Sequence, residues 1–133
     1  MAHHTLLVVE DDDAIRGLLM HYFREHADVD VDGARDGAEA LHQVSTKPYD
    51  VVVLDLMMPH MSGIDFLTSL EALTSDPSVK AIERPPRVFV ITAAPPDTIS
   101  SNEIEQRFPS LVRGVMRKPI DVNALAARVE ALL

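Results

Sequence analysis

Short β-rich apolar runs alternate with amphipathic stretches along this 133-residue chain, and that alternation leaves few architectures open. Val51–Asp55 (VVVLD), Arg87–Thr92 (RVFVIT) and 5–10 (TLLVVE) read as strands buried on both faces. A weaker, alternating strand is expected at 29–33, and 111–117 completes the set. After the first strand, Ile15, Leu18, Leu19 and Tyr22 recur at helical spacing, with Asp12 or Asp13 as the cap. A second helix, 36–46, carries Ala38, Leu41 and Val44 on one side; a third, 62–73, carries Ile64, Leu67 and Leu70. Segment 97–108 predicts a polar, poorly amphipathic helix with few apolar anchors. The last helix, 121–133, aligns Val122, Leu125, Ala126, Val129 and Leu132. Strands alternating with helices of this size pair in parallel, and right-handed crossovers then cover both sheet faces. Only 74–86 is longer than a typical connection.

Length and composition narrow the functions. One domain over residues 1–133 suits this length. The absence of cysteine excludes a disulfide scaffold, a thiol nucleophile and an iron–sulfur cluster. No apolar run approaches the ~18 residues that span a bilayer. The N-terminus lacks a signal-peptide pattern, so a cytoplasmic location is expected. With 12 Lys and Arg against 21 Asp and Glu, the net charge of −9 argues against direct nucleic-acid binding. Cationic metals and basic protein surfaces fit it better.

Where the acids fall decides between these. Four of the five strands run into residues with chemistry: Glu10-Asp11-Asp12-Asp13, Asp55, Thr92 and Lys118. The second strand ends in Gly33-Ala34-Arg35 and offers nothing comparable. Ligands of open α/β sheets bind beyond the carboxyl ends of strands, where the strand order reverses. The bland strand therefore belongs at an edge. Order 2-1-3-4-5, a doubly wound five-stranded parallel sheet with five helices, satisfies this and brings Glu10 and Asp11 beside Asp55. Two carboxylates about 4 Å apart repel by ~4 kcal/mol at an effective dielectric near 20, so three in one pocket invite a cation. All-oxygen ligands point to Mg2+ or Mn2+. A carboxylate beside such an ion is a nucleophile toward phosphorus; Thr92 adds a hydroxyl, and Lys118 a positive charge for phosphoryl oxygens.

Each residue alone is ordinary: an acidic run at a helix start, a strand-end Asp, a surface Lys. Together, LLVVEDD (6–12), VVLDLMMPHMSG (52–63), VITA (90–93) and RKP (117–119) closely resemble the receiver domain of bacterial two-component response regulators. The resemblance covers essentially the whole chain and implies a flavodoxin-like fold. It implies that Asp55 takes a phosphoryl group from a sensor histidine kinase or a histidine phosphotransfer protein. Asp11 would be the direct acidic metal ligand, Glu10 its neighbour acting through water, and the Met57 carbonyl the backbone ligand of Mg2+ or Mn2+. Thr92 would be the switch hydroxyl, and Lys118 the partner of Asp55 or its phosphate. The Lys118–Pro119 bond would be cis, and Pro59 and Gly63 would shape the loop after the acceptor. Such a domain catalyses only its own phosphorylation and dephosphorylation. It signals to a downstream protein through the face of the fourth helix, fifth strand and fifth helix, with a homodimer left open.

The chain also departs from that pattern. Val115 stands where the family has a switch aromatic, and a valine has one restricted torsion and no ring to swing. Output is then expected to move through Thr92, Pro95, Pro96 and helix 97–108. Met57 and Ala94 offer no group to orient an attacking water. His21, His26 and His60 are expected in solvent. Two rivals stand beside this reading. One is a receiver-like interaction module that no longer switches. The other is a Mg2+-dependent phosphatase, disfavoured because dehalogenase-like phosphatases place Asp-x-Asp after the first strand.

Overall fold

Every residue of the central strand Val51–Asp55 is buried, with Val51 and Val53 in one apolar layer and Val52 and Leu54 in the other. A strand with two apolar faces needs helices on both sides, and the chain supplies them. The computed structural model describes residues 4–26, 28–58, 61–76, 78, 84–93 and 100–133. In chain order these form β1 (His4–Val9), α1 (Asp13–His26), β2 (Val29–Ala34), α2 (Gly37–Thr46) and β3 (Val51–Asp55). They continue as α3 (Gly63–Thr74), β4 (Arg87–Thr92), α4 (Ser101–Arg107), β5 (Val112–Arg117) and α5 (Val122–Glu130). The strands make one parallel sheet in the order β2-β1-β3-β4-β5, the order expected from the strand-end chemistry.

Helices α1 and α5 cover one face, packing Leu19, Phe23, Leu125 and Val129 on Leu6, Val8, Phe89 and Ile91. Helices α2, α3 and α4 cover the other, packing Ala40, Val44, Phe66, Leu70 and Ile104 on Leu7, Val9, Leu54 and Val90. Burying each large apolar side chain contributes about 1.5–3 kcal/mol.

Local chemistry starts each helix. Of the two candidate caps for α1 it is Asp12, whose carboxylate accepts the Ala14 and Ile15 N–H groups at 2.9 and 3.0 Å. Asp36, Ser62, Ser100 and Asp121 cap the other four in the same way. Gly63 permits a close approach: a Cβ there would lie 2.6 Å from the Leu56 Cα and 2.8 Å from the Asp55 carbonyl oxygen. Its N–H donates to the Leu56 carbonyl at 3.1 Å, so α3 begins pressed against the strand end that carries Asp55.

Some expectations are corrected. Helix α4 begins at Ser101 rather than Asp97, because Ser100 is extended (ψ 158°) and turns its side chain to the Glu103 N–H. It is also anchored, since Ile104 and the capping Phe108 are both buried. The buried stripe of α1 is Leu19 and Phe23, leaving Leu18 56% exposed. On α2 it runs through Gly37, Ala40 and Val44, with Ala38 exposed. Periodicity finds the helices, but a stripe's exact angle depends on which neighbour it meets. The Lys118–Pro119 bond is cis. Among the described residues, no helix is long and apolar enough to cross a membrane. Pro59, His60, Ala94, Pro95, Pro96 and the expected helical turn at 97–99 lie outside the described residues.

Candidate functional site

Three polar or charged side chains are buried among the described residues: Glu10, Asp55 and Thr92. They stand at the carboxyl ends of the adjacent strands β1, β3 and β4. The ladders carry each into place. Glu10 follows β1 and its N–H still donates to the Ala34 carbonyl at 3.0 Å. Asp55 closes β3 opposite Ile91. The Lys118 N–H donates to the Thr92 carbonyl at 2.9 Å, extending the β4–β5 pairing by one residue. That step brings the Lys118 ammonium to 3.2 Å from Glu10 Oε2 and 3.3 Å from Asp55 Oδ2.

Backbone groups hold the acids. The Met57 N–H donates to Asp55 Oδ1 at 3.1 Å, and the Asp12 N–H to Glu10 Oε1 at 3.3 Å. Arg16, unremarked in the sequence, donates from Nη1 to the Glu10 carbonyl at 2.8 Å and pairs with Asp13. Asp11 stands exposed at the rim, yet one carboxylate oxygen from each of Glu10, Asp11 and Asp55 falls within 4.8 Å of the others. The Met57 side chain is 59% exposed, so its backbone, not its thioether, faces the cluster.

Three carboxylates against one ammonium leave two negative charges when all are ionised, the charge that one divalent cation cancels. The donors are hard oxygens, which fits Mg2+. Burial, and then the charge of Asp55, push Glu10 up to about 7. Burial alone would lower Lys118; the Asp55 and Glu10 carboxylates outweigh it and hold the ammonium above its usual value. The consequence for the metal-free protein has a definite sign. The folded state keeps the Glu10 proton up to about 7, whereas the unfolded chain releases it near 4.5. Stability therefore falls as pH rises through that window. Urea unfolding with chelator at about pH 5 and pH 8 should show this loss, and Glu10→Gln should reduce it. An equal loss in the variant would assign the dependence to another group.

Beside Lys118 lies a groove of about 240 Å³ walled by Ile15, Leu18, Leu19, Pro119 and Ile120. Periodicity places Leu18 on the core face of α1, but the packing of α1 leaves it exposed at the groove. Val115 is half-buried against the α2–α4 layer. His21 is exposed as expected; His26 is exposed but stacks on Tyr22, ring centroids 4.1 Å apart.

The chain is similar in sequence and fold to known proteins. The family model described as the response regulator receiver domain matches residues 6–130. The regulatory protein VanRB of Enterococcus faecalis is 32% identical over 128 residues, covering 96% of this chain and 51% of its own length. The chain thus spans about half the length of the curated relatives it matches. A Francisella response regulator receiver domain is 29% identical with a TM-score of 0.75, covering 98% of this chain and 96% of its own. The response regulator TrrA of Thermotoga maritima, solved in complex with Mg2+ and beryllofluoride, is 26% identical with a TM-score of 0.74, covering 98% and 99%. With its strand order, its buried acids and these matches, the chain belongs to the response regulator receiver domain family of two-component systems.

Proposed function

We propose that residues 1–133 act as one phosphorylation-controlled switch in which Asp55 is the phosphoacceptor, Thr92 the switch hydroxyl and Lys118 the charge that receives the phosphoryl group. The observation that carries this reading is the Lys118 ammonium held between two carboxylates, each 1% exposed. Buried like charges oppose folding, so such a cluster is better explained by chemistry than by stability. Glu10 (through water), Asp11, Asp55 and the Met57 carbonyl would hold Mg2+ or Mn2+. The bound ion supplies charge neutralisation at the phosphoryl oxygens.

The protein's own groups then have definite tasks. The Met57 N–H fixes Asp55 through Oδ1 and leaves Oδ2 on the Lys118 side. A carboxylate oxygen attacks phosphorus as the donor's P–N bond breaks, and the bonding pair returns to the imidazole nitrogen. Lys118 pairs with the incoming phosphoryl oxygens. The chain turns over no second substrate. The donor is a sensor histidine kinase or histidine phosphotransfer protein, and the downstream protein, or a second copy, meets α4, β5 and α5. Intact-mass analysis with Mg2+ and acetyl phosphate tests the acceptor: one added phosphoryl group is expected, and an unlabelled protein would sink the reading.

A protein donor must also seat itself beside the site, and the groove at exposed Leu18 is an apolar surface that includes Lys118 in its lining. Leu18→Arg should slow transfer from a phosphorylated kinase or phosphotransfer domain by roughly tenfold, about the effect of losing one buried apolar contact. Labelling by acetyl phosphate should not change. Equal slowing with both donors would place Leu18 in folding rather than docking.

Switching is a population shift limited by the differential contacts the phosphate makes through Thr92 and Lys118. Amide chemical shifts with beryllofluoride and Mg2+ should change at Thr92 and along α4, with little change at Val115. Changes confined to the acidic loops would favour an interaction module that binds phosphate without switching.

A further inference from the structure

The edge of the sheet opposite the acids holds a cavity of about 320 Å³. It opens at the amino ends of β3, β4 and β5. Three of the chain's 12 basic residues, Arg84, Arg87 and Arg113, line it, in a protein of net charge −9. Among the described residues of the lining, the only acidic neighbour is Asp50. That carboxylate is already engaged: Oδ2 accepts the Thr5 N–H at 2.9 Å and lies 3.6 Å from His4 Nδ1. No described carboxylate pairs with Arg84 or Arg113. Arg87 is tethered, donating from Nη1 to the Leu132 carbonyl at 2.9 Å, and this holds its guanidinium at the wall.

Arg113 is there because the sheet is irregular at that point. Val88 pairs with Val112 but Phe89 pairs with Gly114, so β5 spends two residues where β4 spends one. Arg113 is the extra residue of a β-bulge, a device that re-aims a side chain. Gly114 accommodates it, since a Cβ there would lie 2.6 Å from the Phe89 ring.

We propose that this cavity binds a small organic phosphate of about mononucleotide size. Guanidinium forks match phosphate oxygens in a bidentate way, and unneutralised arginines sharing one concavity repel each other until an anion enters. Ser110 adds a hydroxyl. Tyr49 donates its own hydroxyl to Asp32 Oδ2 at 2.6 Å and so lends the cavity its ring, with Pro85 as a second apolar wall. The volume lies at the lower end of the ~300–1,000 Å³ usual for ligand pockets, enough for more than a bare phosphate ion.

The test is titration of the full chain with AMP, inorganic phosphate and adenosine, followed by amide chemical shifts. Chelator is present throughout, so that no metal–nucleotide complex forms at the acids. AMP should give saturable changes at Arg84, Arg87, Ser110 and Arg113, weakened by added salt. Adenosine should bind at least tenfold more weakly, about one charge-assisted hydrogen bond. Arg84→Ala with Arg113→Ala should lower AMP affinity by roughly tenfold or more, with an unchanged melting temperature in the same chelator buffer as the folding control. Inorganic phosphate binding as tightly as AMP would overturn the organic part of the proposal. Unsaturable changes, or unchanged affinity in the double variant, would overturn the site.

Discussion

Asp55→Asn should gain no phosphoryl group under conditions in which the wild-type chain gains one, a complete loss rather than a slowing. An amide lacks the anionic oxygen that attacks phosphorus, and neither neighbouring acid can substitute for it. Glu10 binds its proton more tightly than an ordinary carboxylate chiefly because it is buried, and the variant leaves that burial in place. Asp11 stands exposed at the rim, and no ammonium contacts it among the described residues. Oδ2 of Asp55 has Lys118 at 3.3 Å. The variant should also fold at least as well without metal, because one of two buried like charges is gone. Lost labelling with an equal or higher melting temperature would therefore be a chemical effect. Labelling equal to wild type, or label mapped to Glu10 or Asp11, would reject Asp55 as the acceptor.

Lys118→Ala should produce the largest stability change at the site. Removing the ammonium leaves Glu10 and Asp55 facing each other with no described cation within 4 Å. Breaking a buried ion pair on one side costs ~3–5 kcal/mol. The Lys118 side chain is 22% exposed, so the lower end applies, about 3 kcal/mol, or about 10 °C in melting temperature for a domain of this size. The penalty should be greatest above pH 7, where Glu10 is ionised, and smaller at about pH 5, where a proton relieves the repulsion. Added Mg2+ should restore part of it, because an ion bound only by the folded state stabilises that state. A melting-temperature change below about 2 °C at pH 8 in chelator would mean that Lys118 does not hold the acids together.

Much of this architecture is legible in sequence because its signals are short-ranged. The run of four apolar residues before Asp55 marks a strand buried on two faces, and the caps Asp36, Ser62 and Asp121 lie within three residues of the N–H groups they accept. Strand-end chemistry points to the observed order, which sets Glu10, Asp55, Thr92 and Lys118 on neighbouring strands and the bland β2 at the edge. Helix boundaries were less legible: α4 starts at Ser101 because Ser100 adopts an extended conformation, which composition alone does not reveal.

Only the tertiary structure decided the rest. Whether Leu18 is core or surface depends on where α1 rests against the start of α5, a contact between segments about a hundred residues apart. The raised pKa of Glu10 needs its burial and the charge of Asp55, which no spacing encodes. The arginine cavity depends on a one-residue slip between β4 and β5, which the sequence 111–117 (LVRGVMR) does not reveal. Periodicity and capping are properties of residues within one or two turns of each other, and the sequence holds them directly. Burial, proton affinity and the aim of a bulged side chain are set by neighbours that only the folded chain brings together.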